Sequence, residues 1–249
     1  MRDLKLGKVK LERALSKRGL ASRTQARALI EAGKVIVNGI KRLDPGYFVN
    51  PDTAKFEIEG EKATAFQWRA LILNKPKNTV TTRSDEKGRK TIFDLLSRDE
   101  QALKLHAVGR LDYATTGLLI LTNDTKFSSY LTDPENEIPR TYIVTVRGEV
   151  VAESASRAQK GIQDEGETLK ANRVKILKAS GRESLLEVEL LEGKNREIRR
   201  LFLALGHEVI ALKRISYGDI HLGDLGSGKT RVLNLSDARA LFPHASFRN

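Results

Sequence analysis

The sequence contains no cysteine, which excludes disulfides, thiolate catalysis and cysteine-ligated metal sites. Histidine is scarce: His106, His207, His221 and His244 are the full set. None lies within helical metal-ligand spacing of another, so zinc chemistry finds no support and no metal is expected. No apolar run approaches the length that crosses a bilayer, and Met1-Arg2-Asp3-Leu4-Lys5 forms no apolar signal region. The expectation is a cytoplasmic protein without a membrane partner.

Positive charge, by contrast, is abundant. Lys and Arg number 44 against 32 Asp and Glu, a formal net charge of +12. Such an excess attracts polyanions, because each neutralised phosphate releases counterions. It points to nucleic acid without saying whether the protein does chemistry on it. At 249 residues and 40% hydrophobic, the chain has room for a sizeable core, in one large domain or a small one plus a larger one.

The first stretch, residues 1–61, reads as a small module. Val9, Leu11, Ala14 and Leu15 share one helical face, and Gly19 breaks that helix. Ser22 with Gln25 three residues later is a capping-box pattern opening a second helix, and Gly33 closes it. Val35-Ile36-Val37 is a short strand, Asn38-Gly39 a hairpin turn, and Phe56-Glu57-Ile58 a further strand. Cations recur at one-turn spacing: Arg13 with Lys17, and Arg23 with Arg27. Lys34 follows. Residues 62–69 look like a linker.

From 70 to 249 strands and helices alternate. Strands are expected at 70–73, 118–122, 142–146, 185–191 and 209–215. Helices are expected at 125–131, 149–162, 197–205 and 237–241, with Asp124 and Ser236 as N-caps and Gly206 as a C-terminal stop. The fold class is therefore mixed α and β. In Gly109-Arg110-Leu111-Asp112, a carboxylate sits beside an arginine in a loop, and Gly117 leads into the apolar strand Leu118-Leu119-Ile120-Leu121. Reactive groups are commonly mounted on loops held by buried strands.

Gly223-Asp224-Leu225-Gly226-Ser227-Gly228-Lys229-Thr230 satisfies the phosphate-loop pattern of nucleotide triphosphatases. A working phosphate loop must open a helix, whereas Arg231-Val232-Leu233-Asn234-Leu235 reads as a strand. A glycine-rich turn is the better reading, and no nucleotide cofactor is expected.

Two resemblances extend these readings. The run from Leu20 to Gly39 resembles the αL RNA-binding motif, named after a small-subunit ribosomal protein, in which a helix pair presents cations to the RNA backbone. This implies RNA contacts for Arg13, Lys17, Arg23, Arg27 and Lys34. The run from Gly109 to Asp124 resembles the signature of pseudouridine synthases of the RsuA/RluB type. Leu73-Asn74-Lys75-Pro76-Lys77 resembles that family's first motif, Arg140-Thr141-Tyr142 its basic-x-tyrosine motif, and the segments from Glu192 to Arg200 and Leu212-Lys213-Arg214 its third.

The resemblance implies an α+β fold with a largely antiparallel mixed sheet and isomerisation of uridine in ribosomal RNA, naked or in an assembly intermediate, without a cofactor. Asp112 would be the catalytic carboxylate, with Arg199 paired to it. Tyr142 would pack on the uracil, and Arg110 would fill the space left by a flipped nucleotide. Two departures stand out. Asn78 occupies a position where glycine is usual, and Glu197 one where glutamine is common. An RNA-binding factor without activity is the alternative, with a nucleotide triphosphatase a distant third.

Overall fold

The computed structural model describes residues 7–18, 20–21, 23–59 and 67–248. Gly19, Ser22 and most of the linker expected at 62–69 lie outside them. The chain divides into two compact units, one reaching Gln67 and one spanning Trp68–Arg248.

In the first unit, β1 (Val9–Lys10) leads directly into α1 (Leu11–Lys17), and α2 (Arg23–Glu31) packs against α1. Val9 thus belongs to a strand rather than to the helix, while Leu11, Ala14 and Leu15 bury the expected face against Ala26 and Ile30. At Gly33 (φ +68°) the backbone turns left-handed, and Gly33 and Lys34 amides close on the carbonyls of Ile30 and Leu29. Next, β2 (Val35–Val37) turns through Asn38 (φ +50°) and Gly39 (φ +77°) into β3 (Ile40–Arg42). Positive φ at both central residues is what a twisted two-residue hairpin requires. Two further short strands complete this unit. β4 (Phe48–Val49) pairs with β1, and β5 (Phe56–Ile58) lies on the other edge of β2.

The second unit is built on one mixed sheet. β6 (Ala70–Lys75) is buried along its length, apolar as far as Leu73, and leads to α3 (Arg98–Ala102), the short β7 (His106–Ala107) and β8 (Thr116–Thr122). After them come α4 (Thr125–Thr132), β9 (Arg140–Arg147) and α5 (Ala152–Lys160). The hairpin β10 (Ile162–Asp164) and β11 (Glu167–Leu169) stands apart from the sheet, which resumes with β12 (Arg173–Ala179) and β13 (Glu183–Leu190). The last elements are α6 (Glu197–Ala204), β14 (Val209–Tyr217), β15 (Ile220–His221), β16 (Thr230–Leu233) and α7 (Leu235–Leu241).

The strand order is β12-β13-β9-β14-β8-β6-β16, with β15 beside β14 and β7 beside β8. Only β8 and β14 run parallel; the other strand pairs of this sheet are antiparallel. The largely antiparallel mixed sheet is thus the one the resemblance implied.

Asp124 caps α4, accepting from the amides of Lys126 (2.9 Å) and Phe127 (3.2 Å). Gly206 (φ +86°) ends the turn after α6. Ser236 is not a cap: α7 starts at Leu235, so Asn234 holds that position. Trp68 and Arg69, read as linker, belong to the second unit, where the Trp68 ring lies 5.7 Å from that of Phe127. The glycine-rich segment 223–230 turns into β16, which pairs antiparallel with β6, and Gly228 donates to the Asn74 carbonyl (2.8 Å). No helix opens there, so this segment lacks the amide-lined helix start of a phosphate loop.

Candidate active site

Asp112 lies in the loop between β7 and β8, and that loop is tied down from three sides. Lys75, at the end of β6 and fully buried, donates through Nζ to the carbonyls of Asp112 (3.0 Å), Thr115 (2.8 Å) and Pro76 (3.1 Å). The Thr81 hydroxyl donates to the Leu111 carbonyl (2.8 Å). The Asn78 amide donates to the Tyr113 carbonyl (2.9 Å). Asn78 itself has φ +61°, the left-handed conformation that asparagine tolerates best after glycine. Burial pulls the Lys75 pKa down to about 8, and the Asp112 carboxylate partly opposes this.

The loop forms one wall of a cavity of about 330 Å³. The opposite walls come from β9 (Arg140, Tyr142), the turn into α6 (Lys194, Arg196, Glu197, Arg199) and β14 (Leu212, Arg214, Tyr217). Thus Asp112, Tyr142, Arg199 and Arg110 all line one space, with Arg110 exposed and Tyr142 buried. Six cationic side chains surround it against two carboxylates, Asp112 and Glu197.

The direct pair expected between Arg199 and Asp112 is not formed. Arg199 Nη1 donates instead to the Val209 carbonyl (3.0 Å), which positions the guanidinium along the α6–β14 turn. Burial, with the like charge of Arg196, lowers the Arg199 pKa, and the field of Asp112 acts against them. The two charges therefore interact across the cavity without contact.

Several side chains in the cavity carried no assigned role in the sequence. Arg140 is buried and donates to the carbonyls of Leu191 (2.8 Å) and Leu131 (3.1 Å) and to the Tyr217 hydroxyl (2.9 Å), which bolts β9 to its neighbours. One oxygen of Glu197 accepts from the Lys194 amide (3.0 Å); the other is buried without a protein partner. Burial raises the Glu197 pKa to about 7. Lys75, Arg140 and Arg214 were visible only as motif letters, because an isolated basic residue in sequence normally marks a solvated surface.

Of the N-terminal cations, Arg13, Lys17, Arg23 and Lys34 are exposed on the first unit, as is Arg27, which pairs with Glu12 (3.2 Å). They stand on a different compact unit from Asp112.

Residues 69–204 match the family model described as RNA pseudouridylate synthase, and residues 9–54 match that of the S4 domain. An RNA pseudouridine synthase of Aquifex aeolicus, itself described as uncharacterized, is 38% identical over 236 residues, covering 94% of each chain. The Bacillus subtilis protein named ribosomal large subunit pseudouridine synthase B is 37% identical, covering 94% of this chain and 93% of its own. A crystal structure described as a pseudouridylate synthase superposes with a TM-score of 0.68 at 28% identity, covering 94% of this chain and 99% of that one. With family match, relatives and fold in agreement along nearly the whole sequence, the chain belongs to the RNA pseudouridine synthases that carry an N-terminal S4 domain.

Proposed function

We propose that this protein converts a specific uridine of ribosomal RNA to pseudouridine in the cytoplasm, with Asp112 as the catalytic carboxylate. The observation that carries the reading is the placement of Asp112: its backbone is fixed by a buried lysine, and its loop walls a cavity whose other charges are mostly cationic. That arrangement sets the carboxylate among cations that attract an anionic polymer. The name of the Bacillus subtilis relative supports a ribosomal target.

In this reading the target nucleotide leaves its stack to reach the cavity. Asp112 drives cleavage of the N1–C1′ bond; the base turns, C5 bonds to C1′, and the C5 proton is lost while N1 gains one. Tyr142 packs on the uracil, Arg199 holds the charge of Asp112 in balance, and exposed Arg110 fills the helix behind the flipped base. Arg13, Lys17, Arg23, Arg27 and Lys34 neutralise phosphates of the same RNA or of a ribosomal assembly intermediate. No cofactor is invoked.

Mapping pseudouridine across ribosomal RNA with and without this protein tests the reading. One or a few positions should depend on it, and Asp112→Asn should abolish them while leaving RNA affinity within about threefold, the pattern of a group used in the transition state. Unchanged pseudouridine at every position, or turnover by purified Asp112→Asn near the wild-type rate, rejects it.

A further inference from the structure

Among the described residues, buried side-chain polar atoms without a protein partner occur at Arg42, Trp68, Glu197, Arg199 and Arg214; three of these five line the one cavity beside Asp112. Arg214 is the most constrained of the three. Only 3% of it is exposed. Its Nε donates to the Leu118 carbonyl (2.7 Å), and its guanidinium carbon stands 5.0 Å from the centre of the Tyr217 ring. Tyr217 is itself immobilised, donating to the Leu131 carbonyl (2.6 Å) and receiving the Arg140 guanidinium on its ring (4.9 Å). The rotamer of Arg214 is thus fixed, and Nη2 is left without an acceptor. No carboxylate forms an ion pair with it among the described residues. A buried, unpaired guanidinium is costly to keep, and here it sits in the wall of the reaction cavity.

The strand register states what lies beside it. Arg214 on β14 is directly opposite Tyr142 on β9, so the two side chains share a sheet face, and both line the cavity. On its other side Arg214 is level with Gly117 of β8, where a Cβ would come within 2.1 Å of the Arg214 carbonyl oxygen. This close approach is what lets Nε reach Leu118, the third residue of the strand that follows the Asp112 loop.

We propose that Arg214 reads the target base, donating through Nη2 to a carbonyl oxygen of the flipped uracil held against Tyr142. This rests on the proposed reaction at Asp112. A phosphate is the poorer occupant, because it stays joined to the strand outside, whereas the guanidinium is almost wholly enclosed. A carbonyl also fits the chemistry. When N1–C1′ breaks with its electron pair left on the base, negative charge spreads onto the two carbonyl oxygens. A fixed donor there is worth more in that state than in the bound substrate.

The test uses the full-length protein and a ribosomal RNA fragment carrying the target uridine, or 2-thiouridine or 4-thiouridine in its place, since sulfur accepts hydrogen bonds weakly. Wild type is expected to lose single-turnover rate on one thio base. Arg214→Lys keeps the charge but cannot serve both Leu118 and the base. It should be roughly 100-fold slower on uridine and indifferent to that thio base. Equilibrium binding gives a second arm that needs no turnover: the affinity gap between the uridine RNA and the same RNA abasic at the target should shrink about tenfold in Arg214→Lys. Equal rates for wild type on all three bases overturn the proposal, as does an equal loss of affinity for intact and abasic RNA, which marks a phosphate contact. Should thermal melting show Arg214→Lys unfolded, the wild-type thio series decides alone. Turnover retained by Asp112→Asn sinks the reading of Asp112 while leaving both arms readable.

Discussion

Replacing Glu197 with glutamine should stabilise the second unit above neutral pH and leave it unchanged in acid. Glu197 is almost fully buried, with one oxygen bound to the Lys194 amide and the other unpartnered. Its pKa rises from 4.5 to about 7, chiefly through burial. Between those values the folded state holds a proton that the unfolded chain has released, so raising the pH across this window removes stability. At about 1.4 kcal/mol per unit the ceiling is roughly 3 kcal/mol. Water reaching the cavity screens part of this, leaving about 1–2 kcal/mol. Glutamine has nearly the same shape, accepts the Lys194 amide through its own oxygen, and does not ionise. For a unit of this size that is a gain of about 3–6 °C in melting temperature at pH 8, fading to nothing near pH 4.5. His106, whose pKa burial lowers, is common to both proteins and cancels in the difference, whereas Glu192 and Lys194 act on Glu197 directly and are part of the effect. Melting wild type and Glu197→Gln side by side at pH 5 and pH 8 checks this. An equal difference at both pH values, or a less stable glutamine variant at pH 8, would refute the reasoning.

Lys75→Met strands the buried Thr115 carbonyl and the half-buried Asp112 carbonyl and should cost about 1–3 kcal/mol, read as a lower urea midpoint together with slower turnover. Arg199→Ala should reduce turnover, and its loss should not add to that of Asp112→Asn, since both act on one charge balance; a double-mutant cycle measures this. Changing Arg13, Lys17, Arg23 and Lys34 together to glutamine should make the slope of log affinity against log salt shallower by roughly 3, and an unchanged slope removes the first unit from phosphate binding. Lys229→Ala should leave pseudouridine formation within about threefold and reveal no ATP binding by calorimetry, because a strand follows that loop.

The elements most legible in sequence were those whose burial is one-sided or complete. The apolar run of β8, the alternation in β9 and the face of α1 each announce their core side. By contrast β12 was missed. It is an edge strand, mostly exposed, with three cations in Arg173-Val174-Lys175-Ile176-Leu177-Lys178-Ala179, and a register shift between Ile176 and Lys178 blurs its period. Ser236 was misplaced as a cap because capping preference alone does not locate the first helical residue, and Asn234 competes for the role. In the site, Asp112 and its cavity partners Tyr142 and Arg110 were legible through their motifs. The detour of Arg199 to the Val209 carbonyl was not, since it depends on how α6 turns into β14. Nor was the latch made by Lys75, which arises only when strands β6 and β8 are in register.

The parallel contact between β8 and β14 divides the large sheet into two antiparallel halves. One, β16-β6-β8, carries Asp112 in the loop before β8; the other, β12-β13-β9-β14, carries Tyr142 and Arg214, with Arg199 on the helix before β14. The joint unites Thr116 and Gly117 with Lys213 and Arg214, and the pairing of β16 with β6 spans a still longer stretch of chain. Both closures are long-range, so each carries a loop-closure cost that a local hairpin does not. The cavity draws its walls from both halves. Neither half by itself has a wall on both sides of Asp112, so competence for catalysis belongs to the closed sheet and to neither of its halves.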